Sequence, residues 1–197
     1  MKTAMTDKVR RLTLNAVLAA IVAVVSFLPL RTLGLEITFS MVPVAIGAIV
    51  LGPASGAFLG GVFGVVSFLQ CLGYSSFGAA LFAINPVFTF LTCVPTRILA
   101  GMLAGLIFRA VPKKKSDSAA TATAAVCAPI LNTLFFMGTL TVCFYNTEYI
   151  QGFAELLNAT NPINFILLFV GINGIVEIIC GFALALPISK VIRRVVK

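Results

Sequence analysis

From Phe82 to Phe108 the chain reads "FAINPVFTFLTCVPTRILAGMLAGLIF", an apolar run whose single charge is Arg97. A helix needs about 20 predominantly apolar residues to cross the hydrocarbon core of a bilayer. Inside hydrocarbon every backbone N–H and C=O must be satisfied within the protein, which restricts such a run to a helix or a closed barrel. Comparable stretches fall at roughly 10–29, 38–52, 54–71, 81–110, 119–144 and 162–190. Only 10% of residues are charged, against about 25% in soluble domains, and the mean hydropathy is +1.10. These runs predict an all-α integral membrane protein, a bundle of six transmembrane helices forming one domain over residues 1–197.

Lys and Arg outnumber Asp and Glu by 14 to 6, and their placement explains the excess. Twelve of the fourteen lie in three clusters: Lys2, Lys8, Arg10 and Arg11; Arg109, Lys113, Lys114 and Lys115; Lys190, Arg193, Arg194 and Lys197. Basic clusters between apolar spans mark cytoplasmic segments. Six spans is an even number, so both termini are expected on that side, where the clusters meet anionic lipid heads. The opposite loops carry Arg31 with Glu36, then Glu148 and Glu155. Orientation accounts for the charge, and no nucleic acid is expected.

Enzyme chemistry finds little material. There is no histidine, which removes the commonest general base, metal ligand and proton relay. Cys71, Cys93, Cys127, Cys143 and Cys180 fall in or beside apolar runs without CxxC or metal-ligand spacing, as buried thiols do. No HExxH, Walker lysine loop or GxSxG is present. Neither catalysis, a metal nor a cofactor is expected. The basic start and following apolar run resemble a signal peptide, but the run is long and lacks a clear small-residue cleavage site. It is read as the first transmembrane helix.

Small residues and prolines shape the bundle. "ITFSMVPVAIGAIVLGP" contains Pro43, Gly47 and a Gly52–Pro53 stop, so the second span is expected to be short and bent, joined to the third by a tight hairpin. Gly56, Gly60 and Gly64 form a small-xxx-small row in span three, and Gly101 and Gly105 repeat the device in span four. Such rows let neighbouring helices approach closely.

Polar residues within the spans are few and fall in stripes. Asn85, Thr89, Thr92 and Thr96 recur at helical spacing in span four. Asn132, Phe136, Thr139 and Cys143 do so in span five, and Asn173 and Glu177 share a face of span six. Each stripe alone suits interhelical hydrogen bonding, whereas three on consecutive helices suggest a polar-lined cavity. Counting from the basic clusters, Arg97 and Glu177 come to matched depth. A guanidinium at that depth needs a partner or a watered cavity. Three partners stay open: Glu177 in a structural ion pair, an anionic solute such as a carboxylate held bidentately, or the lipid interface reached by snorkelling. The candidate substrate-binding residues are Arg97, Asn85, Thr89, Asn132, Asn173 and Glu177.

In the first span Ala16, Ala19, Ala20 and Ala23 give two overlapping AxxxA spacings, a shallow groove suited to another helix. With this row, "ITFSMVPVAIGAIVLGPASGAFLGGVFGVVSF" and the P-x-R of "VPTRILAGMLAG", the whole chain resembles the substrate-binding S component of bacterial energy-coupling factor (ECF) vitamin transporters. The resemblance implies a multi-pass protein of the bacterial cell membrane that captures a vitamin at the outer face beneath a lid, here the loop 29–37. It further implies docking through the alanine row onto a membrane coupling subunit, with ATP hydrolysed by two partner ATPases. The stretch around helices two to four looks most like the pantothenate-type members, and a carboxylate ligand would give Arg97 its counter-charge. Riboflavin or folate is the alternative, since seventeen phenylalanines offer stacking surface. Two rivals differ in class. A small membrane scaffold would use the polar stripes for packing alone. An autonomous secondary transporter should carry inverted repeats and a coupling-ion carboxylate site, and the sequence presents neither pattern.

Overall fold

The computed structural model describes residues 2–27, 30–32, 35–37, 39–111 and 117–196, with side chains placed at 8–27, 39–111, 118–171 and 174–192. Helix α1 (Lys2–Ser26) leads into a short antiparallel hairpin, β1 (Leu30–Thr32) and β2 (Leu35–Ile37), with Arg31 opposite Glu36 in register. Then follow α2 (Met41–Val50), α3 (Pro53–Gln70), α4 (Ser76–Ile84), α5 (Pro86–Ala110), α6 (Asp117–Phe144), α7 (Glu148–Leu156), α8 (Pro162–Cys180), a π-helical turn (Gly181–Ala185) and α9 (Leu186–Val196). Among the described residues five helical segments are long and apolar enough to cross a membrane: Lys8–Ser26, Pro53–Gln70, Pro86–Ala110, Ser118–Phe144 and Gly174–Ile192.

The second expected span is the exception. At ten residues α2 reaches only about 15 Å, roughly half the hydrocarbon thickness. Met41 to Ile49 are all buried, so α2 is a plug inside the bundle, packed on α1, α3, α5, α6 and α9. Its sequence has no polar face to present. Pro43 sits in its first turn, where a missing N–H breaks no intrahelical bond. The helix is short as expected, and that proline does not interrupt it. Gly52 then turns the chain at φ +103°, a conformation glycine alone adopts freely, and Pro53 opens α3.

The two glycine rows face each other. A Cβ at Gly56 would collide with the carbonyl oxygen of Gly101, one at Gly60 with that of Arg97, and one at Gly105 would stand 2.7 Å from the Cα of Pro53. Helices α3 and α5 therefore meet backbone to backbone, and α6 also packs on α5.

Two expected spans are interrupted. The single helix expected at 81–110 breaks at Asn85, whose backbone is extended and whose Oδ1 accepts from the N–H groups of Val87 and Phe88 at 3.0 and 3.1 Å. The residue before a proline avoids the helical region, and asparagine is among the best N-caps. Asn85–Pro86 thus ends α4 and starts α5. The helix expected at 162–190 departs from helical geometry at Gly171 (φ +34°) and widens into the π-turn before α9. Pro187 has no N–H for the preceding turn, and a π-turn is a usual way to absorb such a mismatch.

Packing gives the bundle two distinct ends. Arg11 donates from Nη2 to the Leu51 carbonyl at 3.0 Å, and the Arg109 guanidinium lies against Gly52. Ile192 of α9 packs into the same cluster as Leu14 and Val50. At the other end Gln70 donates to the Ser26 carbonyl at 2.7 Å, and the hydroxyls of Ser26 and Ser40 are 2.8 Å apart. There α4, α6, α7 and α8 enclose a second core of Phe77, Phe144, Ile150, Phe165 and Phe169.

Candidate functional site

Arg97 lies in the middle of α5, two residues after Pro95, and is only 6% exposed. Nη1 donates to the Cys93 carbonyl at 2.9 Å. The guanidinium carbon is 4.5 Å from the ring centroid of Phe63 on α3 and 5.1 Å from that of Phe136 on α6. Aromatic faces attract a cation, by about 0.5–2 kcal/mol each as desolvation increases. They leave the in-plane N–H groups to other acceptors. Nε is buried and has no hydrogen-bond partner among the described residues.

Arg97 borders a cavity of about 110 Å³ between the end of α3 and helices α4, α5, α6 and α8. Thr89, Asn132 and Glu177 line it too. Asn132 is buried, and its Oδ1 is a second polar atom without a partner among the described residues. An orphan donor and an orphan acceptor thus sit in the wall of one cavity. Leaving such groups unpaired costs about 1–3 kcal/mol each, so the arrangement is suited to a solute bringing both an acceptor and a donor. Thr89 and Thr92 spend their hydroxyl protons on the carbonyls of Asn85 and Phe88, at 2.9 and 2.8 Å. Their oxygens keep lone pairs for a ligand.

The sequence-derived residues separate on this frame. Arg97, Thr89, Asn132 and Glu177 come together around the cavity. Asn85 is not among its lining residues and spends its side chain on the cap of α5. The side chain of Asn173 lies outside the described residues. Of the alanine row, Ala16 and Ala20 are exposed on α1, while Ala19 and Ala23 are half-buried and Ala19 packs on the core. The side chains of the expected lid are likewise outside the described residues, but its second strand lies against α8, and its root at Ser26 is held by cavity-lining Gln70.

Sequence reasoning missed the wall supplied by Ser67, Gln70, Cys71, Ser75 and Phe77. One signal was there: Gln70 is the only amide in span three. It also missed α4 and α7, which build the aromatic cluster beside the cavity. Their caps were readable, since Ser75 accepts from Gly78 N–H and Thr147 from Ile150 N–H.

Residues 10–189 match the family model of the ECF transporter substrate-specific component. A relative, the pantothenate transporter PanT of Leuconostoc mesenteroides subsp. mesenteroides, is 31% identical over 163 residues, covering 81% of this chain and 76% of that protein. The chain belongs to the substrate-specific components of ECF transporters, a family of multi-pass membrane subunits and not of enzymes.

Proposed function

We propose that this subunit captures pantothenate, or a close carboxylate relative, at the outer face of the bacterial cell membrane. It hands the vitamin to an ATP-driven module of one membrane coupling subunit and two ATPases. The observation that carries the substrate is Arg97: a buried cation flanked by two rings, with Nε unpaired in a cavity that also holds the orphan acceptor of Asn132. A carboxylate answers the first, and a hydroxyl or amide N–H answers the second. Likeness to a pantothenate transporter supports the same choice.

On this reading residues 1–197 are one six-segment membrane domain with both termini cytoplasmic, and its basic end contacts anionic lipid. The hairpin after α1 is the lid, and Ala16, Ala19, Ala20 and Ala23 form the face that meets the coupling subunit. Arg97, Thr89 and Asn132 bind the vitamin, and Asn173 and Glu177 of α8 complete the site. Asn85 serves it indirectly, by starting α5.

The test is mass spectrometry of small molecules released from the purified protein, followed by calorimetric titration with the compound found. Released pantothenate that rebinds supports the proposal. A flat aromatic vitamin such as riboflavin or folate in its place, or no solute that binds, overturns it.

A further inference from the structure

Two residues in the cavity wall carry chemistry that holding a carboxylate does not use. Cys71 is the C-cap of α3, Cys93 lies within α5, and both line the cavity. Both side chains are buried, and their Sγ atoms are 4.0 Å apart. We propose that Cys71 and Cys93 form a closable dithiol, a modification site at which a small-molecule disulfide is reduced and an intramolecular cystine ties α3 to α5.

A disulfide bond is about 2.05 Å long, so the sulfurs must close by about half of their present separation. Cys71 has the freedom to do this. It ends its helix, and the turn after it runs through Gly73 at φ +141°, with open space around that glycine. Its Sγ donates to the Ser67 carbonyl at 3.3 Å and lies 4.0 Å from that of Cys93. The reaction balances by two exchanges. One thiolate attacks the reagent, breaking its S–S bond, forming a mixed disulfide and expelling a thiolate. The second cysteine then attacks the protein sulfur, forming the Cys71–Cys93 bond and expelling the other half. Two electrons pass from the protein thiols to the reagent, and two protons go to its two released thiolates.

Closure acts on the cavity through two existing contacts. The Cys93 carbonyl holds Nη1 of Arg97, and Gln70, the residue before Cys71, holds the Ser26 carbonyl. Drawing the two cysteines together shifts both anchors and fills space between them. The bridged form therefore binds pantothenate more weakly. This consequence rests on the proposed vitamin site, whereas the bridge itself does not.

The experiment treats the full chain, reduced and in nanodiscs, with dithiodipyridine and maps its peptides without reduction. The expected result is a peptide pair joined through Cys71 and Cys93 and restored to thiols by a phosphine. In Cys71→Ser, Cys93 should instead keep a pyridyl adduct; Cys93→Ala gives the converse adduct on Cys71 should the first variant fold poorly. Pyridyl adducts retained separately on both cysteines of the wild type, or no reaction at either while other cysteines react, would overturn the dithiol. Titrating both forms with pantothenate should then give affinity lower by on the order of tenfold after bridging. Equal affinities would overturn the coupling to the cavity. A reduced protein that ignores pantothenate counts against the proposed substrate, and the linked peptide still decides the dithiol.

Discussion

Gly60 and Arg97 lie back to back across the α3–α5 seam: a Cβ on Gly60 would run into the carbonyl oxygen of Arg97. The packing device and the buried cation therefore share one stretch of backbone. Gly60→Ala should destabilise the protein by about 1–3 kcal/mol through overpacking and weaken ligand binding by displacing Arg97. Its neighbour supplies the control, because a Cβ at Gly61 would meet Ile98 at an ordinary 3.5 Å. Thermal unfolding and calorimetry on Gly60→Ala and Gly61→Ala should separate them clearly; equal behaviour would mean that the seam yields.

Arg97→Lys should weaken pantothenate binding even though the charge is kept, since an ammonium lacks the planar fork and stacks less well on Phe63 and Phe136. Arg97→Gln should weaken it more. An uncharged amide analogue of the vitamin should scarcely distinguish wild type from mutant. Calorimetry on the isolated subunit reads all three. Unchanged affinity in a folded Arg97→Gln would reduce the arginine to packing.

Asn85→Ala removes a cap and not a ligand contact. The expected loss is about 1 kcal/mol of stability, with pantothenate affinity unchanged within about twofold. A folded variant with tenfold weaker binding would return Asn85 to the ligand shell.

Ala16→Leu and Ala20→Leu put bulk on the exposed face of α1 and away from the core. Uptake and co-purification with the coupling subunit should fall while binding to the isolated subunit survives. Normal assembly in both variants would move the docking face elsewhere.

A cysteine introduced at Glu148 should react with an impermeant thiol reagent added outside the cell, and one at Lys114 only after permeabilisation. The reverse pattern would invert the topology.

What the sequence made legible was the part set by composition and spacing. Long uncharged runs allow few folds in lipid, and the glycine rows were read as close helix contacts, which Gly56 and Gly101 make. Apolar windows could not reveal depth. Residues 38–52 read as a short span, and only the surrounding helices make α2 an internal plug. Asn85–Pro86 shows the opposite failure, a local signal overruled by hydropathy. The stripe rule treated Asn85 and Thr89 alike because both fit one helical face, but the helix begins between them. The cavity wall from Ser67 to Phe77 was hidden for a further reason. It is formed by the end of α3, the turn and the start of α4, where no single period holds.

The seam between α3 and α5 has a mechanical corollary. Where backbones touch with no side chains between them, there are no rotamers to adjust, and parting the helices breaks the contacts along Gly56, Gly60 and Gly64 together. Across the cavity α8 is built otherwise. It departs from helical geometry at Gly171, where nothing stands within 4 Å of an added Cβ, and it ends in the π-turn before α9. Both irregular points lie outside the seam. The wall of the cavity that carries the arginine is braced backbone to backbone, and the wall that carries the glutamate is a helix irregular on either side of it.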